Sequence, residues 1–268
     1  MILDRRVVIG LLAGCACCGG ASSIAAQGTP QITKLKRSEV KGCRLPDGLS
    51  HLLTERGFKA GNTARASHSS SADETKLVRT TGNRDMDLAL DAALYKLAET
   101  FQIFPGFGFY DDGDEPNAWA MSKPLVPNTD GTVGFGQTYF KKWLEFDPSG
   151  VAILATAAHE FGHVWLFKSG FYDKVNTGQS TVKRSELHAD FLCGYYMGIL
   201  KARNPSASFW KAGEKIFQIG DFNVRSPDHH GTPDERVRSA EEGFKAAFID
   251  KRTAGDAFKI GLDYVVKV

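Results

Sequence analysis

The segment "ATAAHEFGHVWLF", residues 155–167, places two histidines and a glutamate within one of the most apolar stretches of the chain. On a helix, residues four apart lie one turn above each other, so His159 and His163 would present two imidazoles on one face. Glu160 lies about 100° around the same helix and could reach a metal-bound water without coordinating the ion. This spacing predicts that His159 and His163 bind one metal ion and that Glu160 acts as a general base.

A third ligand is needed, because zinc in a hydrolytic site usually takes three protein ligands and leaves its fourth position for water. The segment "SELHADFLCGYY", residues 185–196, supplies Glu186 and Asp190 one helical turn apart. We expect Glu186 to bind the metal and Asp190 to accept the free ring N–H of a ligand histidine, which fixes the orientation of that ring. His188 is the alternative ligand, but it lies two positions from Glu186 and therefore on the opposite side of the helix.

Helices and a small sheet must position these groups. Apolar residues at near-helical spacing predict a helix from Asp85 to just before Pro105. The short, turn-punctuated segments "FGFY", "NAWAMS" and "TVGFGQTYF" are typical of strands. The helix that carries the two histidines is expected to begin at Asp147 and Pro148, as capping residue and first helical residue, and to end near Lys168.

Further helices are predicted towards the C-terminus. One runs from about Val182 to Arg203, and "SFWKAGEKIFQIGD" predicts another. A last one begins at Pro233, with Thr232 as cap and Glu235 completing a capping box. The sequence therefore predicts an α+β fold that is mostly helical.

Three segments together resemble a family. The motif "AHEFGH" is followed, 23 positions after its second histidine, by "ELHADFLCGYY", and "HGTPDERV" comes later. This order resembles the gluzincin zinc metallopeptidases, and most closely the bacterial neutral zinc metallopeptidases, over about residues 105–248. The chain departs from the usual pattern at His188, where that group has glutamine, and at Val164, where a second histidine often follows.

The resemblance implies a zincin-like, thermolysin-like minimal gluzincin fold, with a small mixed sheet beside the active-site helix. It implies one zinc ion bound by His159, His163 and Glu186, with Glu160 as catalytic base. It places His230 near the metal, where it could stabilise the oxyanion of a tetrahedral intermediate. The segment "TVGFGQTYF" becomes the rim against which an extended peptide would pair as an added strand.

We therefore expect a zinc metalloendopeptidase whose zinc-bound water is activated by Glu160 and whose partner is a peptide or protein substrate. Two other readings stay open: a non-catalytic envelope binding or chaperone-like protein that holds zinc, and a metallohydrolase that acts on cell-wall amides. With 33 basic and 31 acidic residues and no basic block, the sequence gives no indication of nucleic-acid binding. Nothing in it defines the oligomeric state.

The chain divides into three parts by composition. Residues 1–27 have the charged start, apolar run and small-residue end of an export signal, and "DRRVVIGLL" is compatible with a twin-arginine route to the periplasm or the medium. Cleavage near Ala25 or Ala26 is expected, and lipidation of Cys15, with a membrane anchor, is the alternative. Residues 28–83 are a low-complexity extension or linker, and residues 84–268 form the metallopeptidase domain. After export, Cys43 could pair with Cys193, or Cys193 could remain a buried free cysteine.

Overall fold

The computed structural model describes residues 77–268 apart from positions 79 and 115, and in this part of the chain helices surround a three-stranded sheet. The export signal 1–27, Cys15, Cys43 and residues 28–76 of the predicted extension lie outside the described residues. The elements are α1 (Arg84–Phe101), β1 (Gly106–Tyr110), β2 (Ala118–Met121), β3 (Thr132–Gly136), α2 (Gln137–Phe146), α3 (Val151–Ser169), α4 (Tyr172–Asn176), α5 (Lys183–Arg203), α6 (Trp210–Gln218), α7 (Pro233–Phe248) and α8 (Ala254–Val265).

Helix α3 crosses the centre of the fold, and both of its ends are set by glycines in the left-handed region. Gly150 precedes the helix with φ 76°, and Gly170 closes it with φ 70° while its N–H reaches back to the carbonyl of Leu166. The predicted start at Pro148 is wrong by one turn. Asp147 is the residue that ends α2, and its carboxylate reaches forward to accept the N–H of Ala152 at 2.8 Å, which leaves Pro148 in the connecting turn.

The sheet has the order β1-β3-β2, with β1 parallel and β2 antiparallel to β3. Because β3 is paired on both sides, the prediction that "TVGFGQTYF" forms the rim is wrong, and the edge strands of this sheet are β1 and β2. The last four residues of that segment are also helical rather than extended. The buried carboxylate of Asp112 accepts the N–H groups of Thr138 and Tyr139 at 2.8 and 2.9 Å and so caps the start of α2.

Helix α5 lies in the core between α3 and α7, and small residues allow the close approach. A Cβ on Gly194 would lie 1.8 Å from the carbonyl oxygen of Ala240, so only glycine fits at this crossing of α5 and α7. The predicted capping box at the start of α7 is confirmed: Thr232 and Glu235 each accept a backbone N–H from the other. Helix α8 was not predicted, although Thr253 caps it by accepting the N–H of Asp256.

The described residues extend the core a few positions ahead of α1. Leu77 and Val78 are buried in the main apolar cluster, and Val78 forms an isolated antiparallel bridge with Phe109 of β1. The end of the predicted extension therefore packs against the sheet.

Cys193 is a fully buried free cysteine. Within residues 77–268, no helix has the length and apolar character that crossing a bilayer requires.

Candidate metal centre

The three ionisable groups of the opening segment lie in the buried middle of α3. His159, Glu160 and His163 are 8%, 7% and 9% exposed. Burying such groups without partners would cost several kcal/mol, so the side chains facing them determine what this part of the helix can do.

Helix α5 supplies the facing side chains because it approaches α3 closely at one glycine. A Cβ on Gly162 would lie 3.0 Å from the Cα of Ala189, closer than nearly all real contacts. Gly162 therefore lets the two backbones meet. This close approach explains why a glycine stands inside the helix, where it costs about 1 kcal/mol relative to alanine. Ala189 is flanked on α5 by Glu186 and Asp190, and the approach brings both carboxylates against the imidazoles of α3.

Three potential ligand atoms converge at this crossing. The Nε2 atoms of His159 and His163 are 3.1 Å apart, and each lies 3.3 Å from a carboxylate oxygen of Glu186. A tetrahedral zinc ion with ligand bonds of about 2.0–2.2 Å would place its ligand atoms roughly 3.3–3.6 Å from one another. The three groups therefore fit one small tetrahedral cation at nearly their present positions.

A chain of buried hydrogen bonds supports His159 from behind. Its Nδ1 lies 2.9 Å from Oδ1 of Asp190, so Nδ1 carries the proton and Nε2 is left to face the cluster. Arg236 of α7 donates two hydrogen bonds to Asp190, from Nε at 2.7 Å and from Nη2 at 3.0 Å. Arg236 thus pairs with a carboxylate of the protein and holds the group that orients His159.

The electrostatics of the cluster favour a bound cation. Burial would lower the pKa of His159, but the neighbouring carboxylates of Asp190 and Glu186 raise it to about 9. Burial acts to raise the pKa of Glu186, yet the adjacent His163 and His159 hold it well below its usual range. Three carboxylates, those of Glu160, Glu186 and Asp190, lie around this cluster, and only Asp190 and Glu186 have a guanidinium, that of Arg236, within ion-pair distance.

His188, the alternative ligand, is separated from this cluster. It is fully buried on the other side of α5, where its ring stacks on Trp165 with centroids 5.5 Å apart. Neither ring nitrogen has a hydrogen-bond partner among the described residues, and burial lowers the pKa of His188 to about 3. His188 therefore packs against Trp165 and takes no part in the group formed by His159, His163 and Glu186.

Glu160 and His230 face the same cleft as the three ligand groups. This cleft has a volume of about 490 Å³, and His159, His163 and Glu186 form part of its floor. In the described part of the chain, the carboxylate of Glu160 makes no hydrogen bond or ion pair. His230 is about one-third exposed, and its backbone N–H donates to Asp221 at 2.9 Å. Both residues are thus available to a molecule bound in the cleft.

Other residues that line the cleft were not identified from the sequence. Tyr139, Phe167, Tyr172 and Lys215 come from four different helices and meet only in the folded chain. Tyr172 lies near Glu186: burial, with the negative charge of Glu186, raises the pKa of its hydroxyl. Single aromatic or lysine residues form no motif, so no signal in the sequence could have identified these four as lining residues. The aromatic residues of the strands, Phe107, Phe109, Trp119 and Phe135, are buried in the core and do not line the cleft.

Comparisons with protein-family models, with curated proteins and with solved structures find no match to this chain.

Proposed function

We propose that this chain is an exported zinc-dependent metalloendopeptidase with a zincin-like fold of the minimal gluzincin type. The observation that carries the proposal is the convergence of His159, His163 and Glu186, whose ligand atoms lie 3.1–3.3 Å apart. The helix arrangement around them agrees with such a fold, because the two histidines lie on one helix and the glutamate on the next.

One zinc ion at this site would lower the pKa of a water towards neutrality and polarise a substrate carbonyl. Glu160 takes a proton from the attacking water and delivers it to the leaving amine. It is suited to this role because it is buried beside the ligand groups, faces the cleft and is not neutralised by a salt bridge within the described residues. Asp190 holds His159 in the tautomer that exposes Nε2.

The walls of the cleft suggest how a peptide would bind. Ala118 and Ala120 of the edge strand β2 line the cleft, so an extended peptide could add to β2 through main-chain hydrogen bonds. His230, on the wall contributed by the loop before α7, would donate a hydrogen bond to the negatively charged oxygen of the tetrahedral intermediate. The edge strand and the base would then lie beside the same scissile bond.

The decisive test is cleavage of a random peptide library by the zinc-loaded protein, followed by mass spectrometry of the products. We expect cleavage by the wild type, none after chelation, and none by Glu160→Gln, whose amide cannot accept a proton. Stoichiometric zinc with no peptide product would refute the endopeptidase and leave the zinc-holding binding protein or the cell-wall amidase. Release of amide-linked fragments from purified peptidoglycan would then identify the amidase. Undiminished cleavage by Glu160→Gln would remove the mechanism.

A further inference from the structure

Lys215 of α6 is a buried lysine whose charged group faces the cleft. The residue is only 3% exposed, and it lines the same cleft as Glu160 and His230. Its Nζ lies 5.6 Å from the ring centre of Tyr139 and 5.5 Å from that of Trp143. No hydrogen bond or ion pair to another described residue involves this ammonium group. A lysine is almost never buried in this way without a negatively charged partner.

The two cationic side chains that line the cleft differ in their partners. Arg236 is neutralised by Asp190 through two hydrogen bonds of 2.7 and 3.0 Å. Lys215 has only the faces of two aromatic rings, which offset part of the cost of taking an ammonium group out of water but accept no hydrogen bond from it. Of these two cations, Lys215 is therefore the one that forms no direct ion pair with a described residue.

The contacts of Tyr139 locate Lys215 relative to the metal centre. The hydroxyl of Tyr139 lies 3.2 Å from Oγ1 of Thr156, which is one helical turn before Glu160 on α3. Lys215 therefore lies over a ring that is hydrogen-bonded to α3 one turn before Glu160, and both residues line the same cleft. One helical turn is about 5.4 Å, and an extended peptide advances about 3.3–3.6 Å per residue. The ammonium group is thus within about three substrate residues of the reacting carbonyl.

We propose that Lys215 binds a carboxylate of the substrate, so that the protein prefers peptides carrying a negative charge within three residues of the scissile bond. This inference rests on the proposed function only in taking the ligand to be a peptide. The carboxylate has two sources, an acidic side chain or the free C-terminus of a short peptide. An ammonium group with three donors, held over the Tyr139 and Trp143 rings at the wall of the cleft, would recognise either one by a charge-assisted hydrogen bond.

The test measures binding separately from cleavage. Fluorescent peptides are titrated into the full zinc-loaded chain carrying Glu160→Gln, so that bound peptide is not turned over. In one arm, glutamate or glutamine is placed at each of six positions around a central bond in C-terminally amidated peptides. In the other arm, neutral peptides carry a free or an amidated C-terminus. A charged hydrogen bond predicts at least about tenfold tighter binding of the carboxylate member in one arm, and that arm identifies the source.

Two lysine variants in the same background decide whether Lys215 is responsible. Lys215→Met should remove the preference. Lys211→Met should keep it, because Lys211, one turn earlier on α6, has a 42% exposed side chain, pairs with Glu214 and does not line the cleft. Lys215→Met should also raise the melting temperature, because it removes a buried charge that has no ion pair in the free protein. If Lys215 had only a structural role, the same change would lower the melting temperature. No preference in either arm, or a preference that survives Lys215→Met, would overturn the inference.

Cleavage by the parent protein distinguishes the two proposals. A Lys215-dependent preference in a protein that cleaves no peptide would refute the endopeptidase and leave the carboxylate site standing. Cleavage of the same peptides without a carboxylate preference in binding would refute the carboxylate site and leave the endopeptidase standing.

Discussion

Replacing Arg236 with methionine should lower the free energy of unfolding by about 3–5 kcal/mol, the usual cost of removing one partner of a buried ion pair. Arg236 is 2% exposed and Asp190 is fully buried, so water cannot replace the two hydrogen bonds that the guanidinium donates to Asp190. Methionine keeps much of the volume and leaves the carboxylate of Asp190 with His159 alone. In a domain of this size 1 kcal/mol corresponds to about 2–4 °C, so the melting temperature should fall by roughly 6–20 °C.

The assay is thermal unfolding followed by circular dichroism, with chelator present so that metal binding does not contribute. Arg238→Met is the matched control, because Arg238 is exposed on the same helix, and its melting temperature should stay near that of the wild type. Adding Asp190→Asn to Arg236→Met removes the unpaired charge and should recover part of the loss. If Arg236→Met and Arg238→Met unfold at the same temperature, Arg236 does not stabilise the buried network as described.

Three further outcomes are expected. Gly194→Ala should cost about 1–3 kcal/mol or more in urea unfolding, because its Cβ would meet the carbonyl of Ala240, whereas Gly213→Ala, with nothing within 4 Å, should cost nothing; equal effects would contradict the close crossing of α5 and α7. Burial raises the pKa of Cys193 to about 12, so alkylation mapped by mass spectrometry at pH 8 should reach it only after unfolding, and rapid labelling of the native protein would contradict its burial. Asp190→Asn should weaken zinc binding by about 10–100-fold in competition with a chelator, and unchanged affinity would show that Asp190 does not orient His159.

Local signals in the sequence predicted most of the helices and the ligand groups. The spacing of His159 and His163, and of Glu186 and Asp190, is a property of a single helix, so it could be read without knowing how the helices pack. A glycine inside a helix, such as Gly162, is also a local sign of close backbone approach, and its contact with Ala189 is one. The choice of Glu186 over His188 followed from helix periodicity in the same way.

Features that depend on distant partners were missed or wrong. The order of the strands cannot be read from three short apolar segments, so β3 was taken as an edge strand although it lies between β1 and β2. The start of α2 depends on Asp112, which is 26 residues from the N–H group of Thr138 that it caps. Lys215 enters the cleft only because α6 packs beside α3, and no pattern within α6 indicates which of its residues would face the metal centre.

The proposed metal centre is tested most directly by anomalous diffraction at the zinc edge from crystals of the zinc-loaded protein, together with the measured zinc content. We expect one zinc ion per chain, with a single anomalous peak about 2.0–2.2 Å from Nε2 of His159, Nε2 of His163 and a carboxylate oxygen of Glu186. A protein that retains no zinc, or an anomalous peak beside other residues, would refute a zinc site formed by His159, His163 and Glu186.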